Sequence, residues 1–484
     1  MSDLPGGWCQ VPLEQIADVK GGLAKGGARA SSLVRRLVPY LRVANVQRGF
    51  LDLTEVKLIE ATPEQIEGLR LQVGDVLFNE GGDRDKLGRG WIWNGELPEC
   101  IHQNHVFRAR VIPALVDSKW LSHYGNSVAQ KYFEKEGKQT TNLASIGLNK
   151  LKALPVVLPP LAEQRRIVAK LEELFSELDA GVEALRRAQR RLTRYRQALL
   201  QSAVTGELTE EWREQHTHDI KLGKLASGWP TGWRQVSVEQ IAVQVDYGSS
   251  AKTQQSATGI PVVRMGNIQD GRIVMDDVKT LPINHPEFPK LLLQPGDLLF
   301  NRTNSAELVG KSAVFRGKEP TSFASYLIRV RLNDSCLPEW LAVFINSSFG
   351  RRWVASVASQ QVGQANVNGS KLRALQFPLP TIKEQEVILA ELDRRLSAAD
   401  ALEATFQTSL RRAERLHQSI LERAFRGELV PQDPNDEPAE ALLARLKATA
   451  ADAPAPHRRG RPPKAEPIEP QPPRRRGRPR KAQP

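Results

Sequence analysis

Apolar positions in residues 161–205 recur at helical spacing. Ile167, Leu171, Leu174 and Leu178 step by four, three and four, and Val182, Leu185, Leu192 and Leu199 continue the stripe. The stretch holds no Pro and a single Gly, Gly181. Such a stripe is the seam of a helix packed on another helix. At about 1.5 Å per residue it predicts a rod of about 65 Å, far longer than an ordinary globular helix. Residues 382–427 repeat the rod 221 positions later, with Ile388 and Leu392 on the corresponding seam. Pro159 matches Pro380, Glu163-Gln164 matches Glu384-Gln385, Asp179 matches Asp400, and Gly206-Glu207-Leu208 matches Gly427-Glu428-Leu429.

The repeat reaches beyond the rods. Leu4-Pro5-Gly6-Gly7-Trp8 and Trp229-Pro230-Thr231-Gly232-Trp233 open two units, followed by EQIADVKGG and EQIAVQVDYG. Arg42 to Gln47 parallels Arg264 to Gln269, and LQVGDVLFN (71–79) parallels LQPGDLLFN (293–301). Each unit is therefore a globular part of about 150 residues followed by a rod. Val76 to Phe78 and Leu298 to Phe300 follow a Gly-Asp turn and are apolar enough for buried strands. Trp91 to Trp93, Val106 to Val111 and Leu327 to Leu332 read as further strands, while residues 116–135 and 338–358 read as helical. The expected fold class is α+β: two mixed domains, each dominated by a curved sheet, alternating with two long helices. The boundaries expected are domain one at 1–158, rod one at 159–206, a polar linker at 207–232, domain two at 233–379, rod two at 380–428, a short helical extension at 429–450 and a basic tail at 451–484.

Composition adds a partner. The net charge is +13, which points to a polyanion, with nucleic acid first. The tail carries ten Arg or Lys against three Asp or Glu, so most of the excess lies there and the globular part is only mildly basic. No apolar run is long enough for a membrane span and no signal-peptide core opens the chain. The three cysteines, Cys9, Cys100 and Cys336, stand singly. A reduced, cytoplasmic protein without a membrane role is the expectation.

Two tail segments, Arg459-Gly460-Arg461-Pro462 and Arg476-Gly477-Arg478-Pro479, resemble the AT-hook core, in which Arg459, Arg461, Arg476 and Arg478 would enter a narrow A·T minor groove. A generic basic tail that binds phosphate without preference is the alternative. Gly310-Lys311-Ser312 suggests a phosphate loop, but Ser305 stands where its first Gly is required. Cys100, His102 and His105 supply three of the four ligands a structural zinc needs, and the second copy has no equivalent, so a core Cys beside strand histidines is favoured. Arg186, Arg187, Arg190, Arg191, Arg194 and Arg196 on the first rod read as a solvated face, with DNA phosphate contact as the alternative. No hydrolase triad, HExxH, dinucleotide loop or [ND]-P-P-[YFW] tetrapeptide of amino-methyltransferases is present. The reading is non-enzymatic.

Two globular parts alternating with two long helices, with Pro-rich segments leading into Glu163-Gln164 and Glu384-Gln385, resemble the specificity subunit of type I restriction-modification systems. The likeness runs from about Leu4 to Leu429, and LFNEGGDRDKLGRG and LLFNRTNSAELVGKSAVF look like recognition-domain sequences of that family. It implies that each globular part is a target recognition domain reading one half of a split, asymmetric double-stranded DNA target. It also implies that the helices pair as an antiparallel coiled coil, hold the domains apart and dock partners along the Ile167, Leu171, Leu174, Leu178, Ile388 and Leu392 seam. Two modification subunits per chain and restriction subunits are the partners implied. S-adenosylmethionine, ATP and Mg would bind those partners, with no cofactor in this chain. The AT-hook-like tail departs from the family pattern.

Candidate DNA contacts are Arg84, Lys86, Arg89, Gln103 and Asn104 in the first domain and Arg302, Asn304, Lys311, Gln360 and Gln361 in the second. These are residue types that make bidentate contacts with guanine or adenine. The loops after Asn79 and Asn301 differ completely, as two domains reading different bases should, although Arg42 and Arg264 sit at matched positions. A coiled-coil adaptor that binds only proteins is the rival reading. A nuclease is a third, weakened by the missing motifs.

Overall fold

The computed structural model describes residues 4–24, 34–82, 86–139, 144–216, 228–256, 258–361 and 364–451. They form two compact units, one of the described residues within 4–173 and 418–451 and one of those within 174–417.

In the first unit, Cys9–Pro12 pairs antiparallel with Pro155–Leu158 and closes the globular part on itself. The central antiparallel sheet runs in the order Ala17–Gly21, Val106–Val111, Val76–Asn79, Gly90–Ile92. The Gly-Asp turn before the buried strand is built as the sequence suggests. Gly74 has φ +91°, and the Asp75 carboxylate accepts from Gln72 N–H at 2.7 Å. Alternate residues of the strand then face two different cores. Val76 and Phe78 join the cluster that includes Leu121, Tyr124 and Phe133, while Leu77 joins Leu41, Val46, Leu71 and Trp93. Burial on both faces explains the uninterrupted apolar run. Beside it Arg108 is 1% exposed, its guanidinium bonded to Asp18 at 2.7 Å.

The second unit repeats the plan. Arg234–Ser237 pairs with Gln376–Leu379, and the central order is Ala242–Tyr247, Leu327–Leu332, Leu298–Asn301, Ser312–Val314. Leu298 and Phe300 face the larger core and Leu299 the smaller one. Arg329 bonds to Asp246 at 2.6 Å and Arg331 to Asp297 at 2.8 Å, matching Arg108–Asp18 and Arg110–Asp75.

Several expectations need correction. The sheet of each domain is divided into a four-stranded piece and smaller ones rather than forming a single curved surface. Trp93 lies just past its strand, Gly90–Ile92. The helix expected at 116–135 is two, Ser118–Asn126 and Ala129–Glu136, and the one at 338–358 is Pro338–Asn346 and Ser348–Val357. Ser347 makes the second break by leaving helical geometry and offering its Oγ to Gly350 N–H. The polar connector is folded in its first half. Glu207–Thr209 and Glu210–His216 are helical, because a buried carboxylate satisfies Arg213. The short extension is a helix, Ala439–Ala451, whose Leu442 and Leu443 complete the first core.

The long helices run Leu161–Val204 and Ile382–Phe425. Within the second unit Phe175 stacks on His417 at 4.2 Å, Gln189 donates to Glu403 at 3.1 Å and Arg196 to Asp400 at 2.8 Å. One number rises as the other falls, so the pairing is antiparallel. Leu199, Ala203 and Val204 from one helix and Ile388 and Leu392 from the other enter the second core. In the first unit Phe425 lies against Trp120, with ring centres 4.5 Å apart.

The repeated Glu-Gln pairs are the joints between domain and helix. Glu163 Oε2 accepts from Trp8 Nε1 at 2.9 Å, and Glu384 Oε2 from Trp233 Nε1 at 2.8 Å. Gln164 and Gln385 each accept a backbone N–H, from Asp117 and Leu337, and donate back to Pro159 O and Pro380 O. Trp8 meets Trp120 edge-on at 5.8 Å and Trp233 meets Trp340 at 5.5 Å. Among the described residues no helix is long and apolar enough to cross a membrane.

Candidate nucleic-acid interface

Each buried strand ends in an asparagine that anchors the loop beyond it. Asn79 and Asn301 are fully buried. Asn79 Nδ2 donates to Val46 O at 2.8 Å, and its own carbonyl accepts from Gly88 N–H, closing the loop between them. In the second domain Gly310 N–H donates to Asn301 O at 2.7 Å and Asn301 N–H to Lys311 O at 2.9 Å. The loop-closing glycines are required. Gly88 has φ +61° and a Cβ there would lie 2.2 Å from Phe133; Gly310 has φ +84° and would meet Val354 at 2.6 Å. Those backbone bonds occupy the Gly310 and Lys311 region in loop closure, which accounts for the glycine without a phosphate cradle.

Beyond each asparagine the chain enters a small three-stranded sheet with a distant hairpin. Gly81–Gly82 pairs with Ala144–Ser145, which pairs with Lys138–Gln139. Thr303–Asn304 pairs with Gln364–Asn366, which pairs with Ser359–Gln361. The second sheet thus brings Arg302, Asn304 and the Gln360-Gln361 segment together from positions far apart in sequence. Arg302 lies over the Tyr247 ring at 4.7 Å, and Asn366 Nδ2 donates to Thr303 Oγ1 at 2.6 Å. The side chains of Gln360 and Gln361 lie outside the described residues, as does Arg84.

Lys86 and Arg89 are half-buried in the loop closed by Gly88. Gln103 and Asn104 lie on another segment, fixed by Gln103 N–H to Leu41 O at 2.9 Å and Asn104 N–H to Leu23 O at 3.1 Å. Lys311 lines a groove of about 1700 Å³ in the second unit, shared with Arg272, Arg316 and Arg351. The first rod's arginines are partly engaged: Arg190 pairs with Glu183 and Arg196 with Asp400. Arg459, Arg461, Arg476 and Arg478 lie outside the described residues.

Cys100 and His102 belong to the core. Burial pushes the Cys100 thiol up to about 12, and His102 down to about 4 although Val106 O accepts from its ring at 2.6 Å. His105 faces Glu80 instead. Among the described residues no group of three or more His, Cys, Asp or Glu is placed to hold a metal.

Repeated framework and divergent loops are what two recognition modules in one chain require, and comparison with known proteins agrees. The family model described as the type I restriction modification DNA specificity domain matches residues 5–185 and again 230–412. The chain belongs to that family. It is a type I restriction-modification specificity subunit with two recognition domains. It is similar to the EcoKI specificity subunit of Escherichia coli K12, 28% identical over 466 residues that span 93% of this chain and 96% of the relative. The StySPI specificity subunit of Salmonella potsdam is 25% identical over 465 residues, with the same coverage. A chain from a study of assembly and conformational transition of the type I R-M system shares the fold with a TM-score of 0.65 at 21% identity, over 89% of this chain and 100% of that one. The HsdS subunit from Thermoanaerobacter tengcongensis does so with a TM-score of 0.53 at 20% identity, over 88% and 98%.

The seam residues of this specificity subunit face inward. Ile167, Leu171, Ile388 and Leu392 are essentially fully buried, and Ile388 and Leu392 belong to the second core. Ile388 and Leu392 thereby hold the second helix to its domain, while Leu174 and Leu178 are half-buried. Sequence reasoning missed Glu80 and Tyr247, and weighed His105 only as a zinc ligand. Aligning the residue after each buried asparagine, Glu80 against Arg302, was the available signal.

Proposed function

We propose that this chain confers DNA sequence specificity on a type I restriction-modification complex, each recognition domain reading one half of a bipartite, asymmetric double-stranded target. The observation that carries this is the duplicated framework, matched bond for bond from Trp8–Glu163 and Trp233–Glu384 to Arg108–Asp18 and Arg329–Asp246, beneath loops that have diverged around their closing glycines, Gly88 and Gly310. A duplication of this kind gives one chain two reading heads free to diverge. A protein-only adaptor has no need for it.

The relatives are named as subunits of restriction enzymes. By that likeness we assign methyl transfer, ATP-driven steps and endonuclease activity to partner modification and restriction subunits, with two modification subunits per chain. S-adenosylmethionine, ATP and Mg belong to those partners. The chain itself is non-catalytic and acts where chromosomal DNA is, in the cytoplasm. The test is a comparison of genome methylation with and without this gene. Loss of one bipartite motif on deletion, restored by the gene, is expected. An unchanged methylome would overturn the reading, and methyl transfer by the purified chain alone would overturn its non-catalytic assignment.

A further inference from the structure

The residue after each buried asparagine is held by the same backbone bonds in both domains, yet its side chain is reversed in charge. Glu80 N–H donates to His105 O at 2.9 Å, and Ile146 N–H donates to Glu80 O at 2.7 Å. Arg302 N–H donates to Tyr326 O at 3.0 Å, and Val367 N–H donates to Arg302 O at 2.9 Å. Both residues sit at the entrance to the small three-stranded sheet of their domain, and both are half-buried. The framework thus delivers one side chain to one place twice, and only the chemistry of that side chain differs.

The surroundings differ to suit. Arg302 is laid over Tyr247, and its Nε is buried without a hydrogen-bond partner. Other arginines of the same domain are bonded within the chain: Arg329 to Asp246, Arg331 to Asp297, and Arg351 to Val309 O and Glu307 O. The Arg302 guanidinium makes no hydrogen bond or ion pair with any described residue. A flat guanidinium oriented by an aromatic ring but given no internal acceptor is preorganised for an external one. In the first domain Gly21 occupies the sheet position opposite Phe107, as Tyr247 does opposite Ile328, so that position offers no ring. The Glu80 carboxylate instead faces His105 Nδ1, and Asn104 Nδ2 lies 3.3 Å from His105 Nε2. That chain orients an acceptor where the second domain orients a donor.

We propose that Arg302 and Glu80 are matched base-reading residues. Arg302 donates to guanine O6 and N7 in one half-site, and Glu80 accepts from the exocyclic amino group of cytosine or adenine in the other. Only these edges offer the required acceptor pair or donor in the major groove. The assignment rests on the recognition-domain reading and adds which side chain reads which chemical class.

The test uses the full chain assembled with its modification subunits and the target found by methylation sequencing. Each guanine of a target duplex is replaced in turn by 7-deazaguanine, which lacks the N7 acceptor. The unaltered complex should bind roughly ten- to a hundredfold more weakly at one guanine of one half-site, and the Arg302→Ala complex should be indifferent to that replacement. Glu80→Gln should alter the preferred base at one position of the opposite half-site, leaving the Arg302 half-site as it was. The scan on unaltered protein does not depend on how any variant folds. No guanine whose replacement matters, a guanine effect that survives Arg302→Ala, or both variants acting on one half-site would overturn the proposal while leaving the recognition reading intact. A complex with no bipartite target would overturn both.

Discussion

Buried charge decides more of this molecule than its sequence pattern advertises. Arg213 and Glu384 are paired at 2.6 Å with side chains only 9% and 5% exposed. Arg213 also donates to Thr209 Oγ1, while Glu384 holds Trp233. Arg213→Ala leaves that carboxylate buried without its cation, at a cost of about 3–5 kcal/mol. Thermal or urea unfolding should show the loss, and a variant as stable as the parent would contradict it. His102 supplies a pH dependence. Its imidazole, lowered to about 4 by burial, binds fewer protons when folded than when unfolded between there and the ordinary value near 6.5. Its stabilisation is therefore complete above about pH 6.5 and lost progressively as pH falls towards 4, by about 3 kcal/mol in all. His102→Gln should flatten the stability profile across that window, and an unchanged slope would sink the assignment. The repetition of Glu163-Gln164 and Glu384-Gln385 was plain in the sequence, but their task was not. That Glu163 and Glu384 clamp Trp8 and Trp233 depends on partners about 150 residues away, which local pattern does not encode.

At the scale of elements, the long helices were the most legible feature because a 3.5-residue apolar period over about twelve turns admits few other structures. The same pattern did not show everything that the stripe touches. Ile388 and Leu392 continue the seam in sequence, yet they end in the second globular core. Periodicity reports which face is buried and is silent on what buries it. Short strands were legible where both faces are covered, as at Val76–Asn79 and Leu298–Asn301. The small sheets were invisible, since pairs such as Gly81–Gly82 with Ala144–Ser145 have no apolar run to announce them. They are also where Arg302 and Asn304 are placed, so the site was less legible than the fold. One helix position offers a clean test. Gly181 lies mid-helix and exposed, and a Cβ there would meet nothing within 4 Å. Gly181→Ala should stabilise the protein by about 0.5–1 kcal/mol through helix propensity alone, seen as a higher unfolding midpoint with the methylated sequence unchanged. A destabilised variant would mean that this face of the helix is occupied in the assembled protein.

At the scale of the whole chain, charge and sequence reading are carried by different parts. The net charge is +13, and residues 452–484 hold ten Arg or Lys against three Asp or Glu. Non-specific affinity for duplex DNA grows with the number of phosphates neutralised and falls with salt by about 0.9 log units per contact per log unit of salt. Base discrimination comes from side chains held in register by a rigid framework, which here ends well before the tail. The helix Ala439–Ala451 must be kept in any truncation, because Leu442 and Leu443 complete the first core. A protein ending at Ala451 should therefore fold normally. It should bind random, A·T-rich duplex more weakly, with a salt slope shallower by several units. If Arg459, Arg461, Arg476 and Arg478 act as AT-hook arginines, the loss should be larger on A·T-rich than on G·C-rich duplex, whereas a generic basic tail would lose both equally. The methylated motif should stay the same in either case. A motif that changes on truncation would place base reading in the tail, and an unchanged salt slope would show that its cations do not reach phosphate.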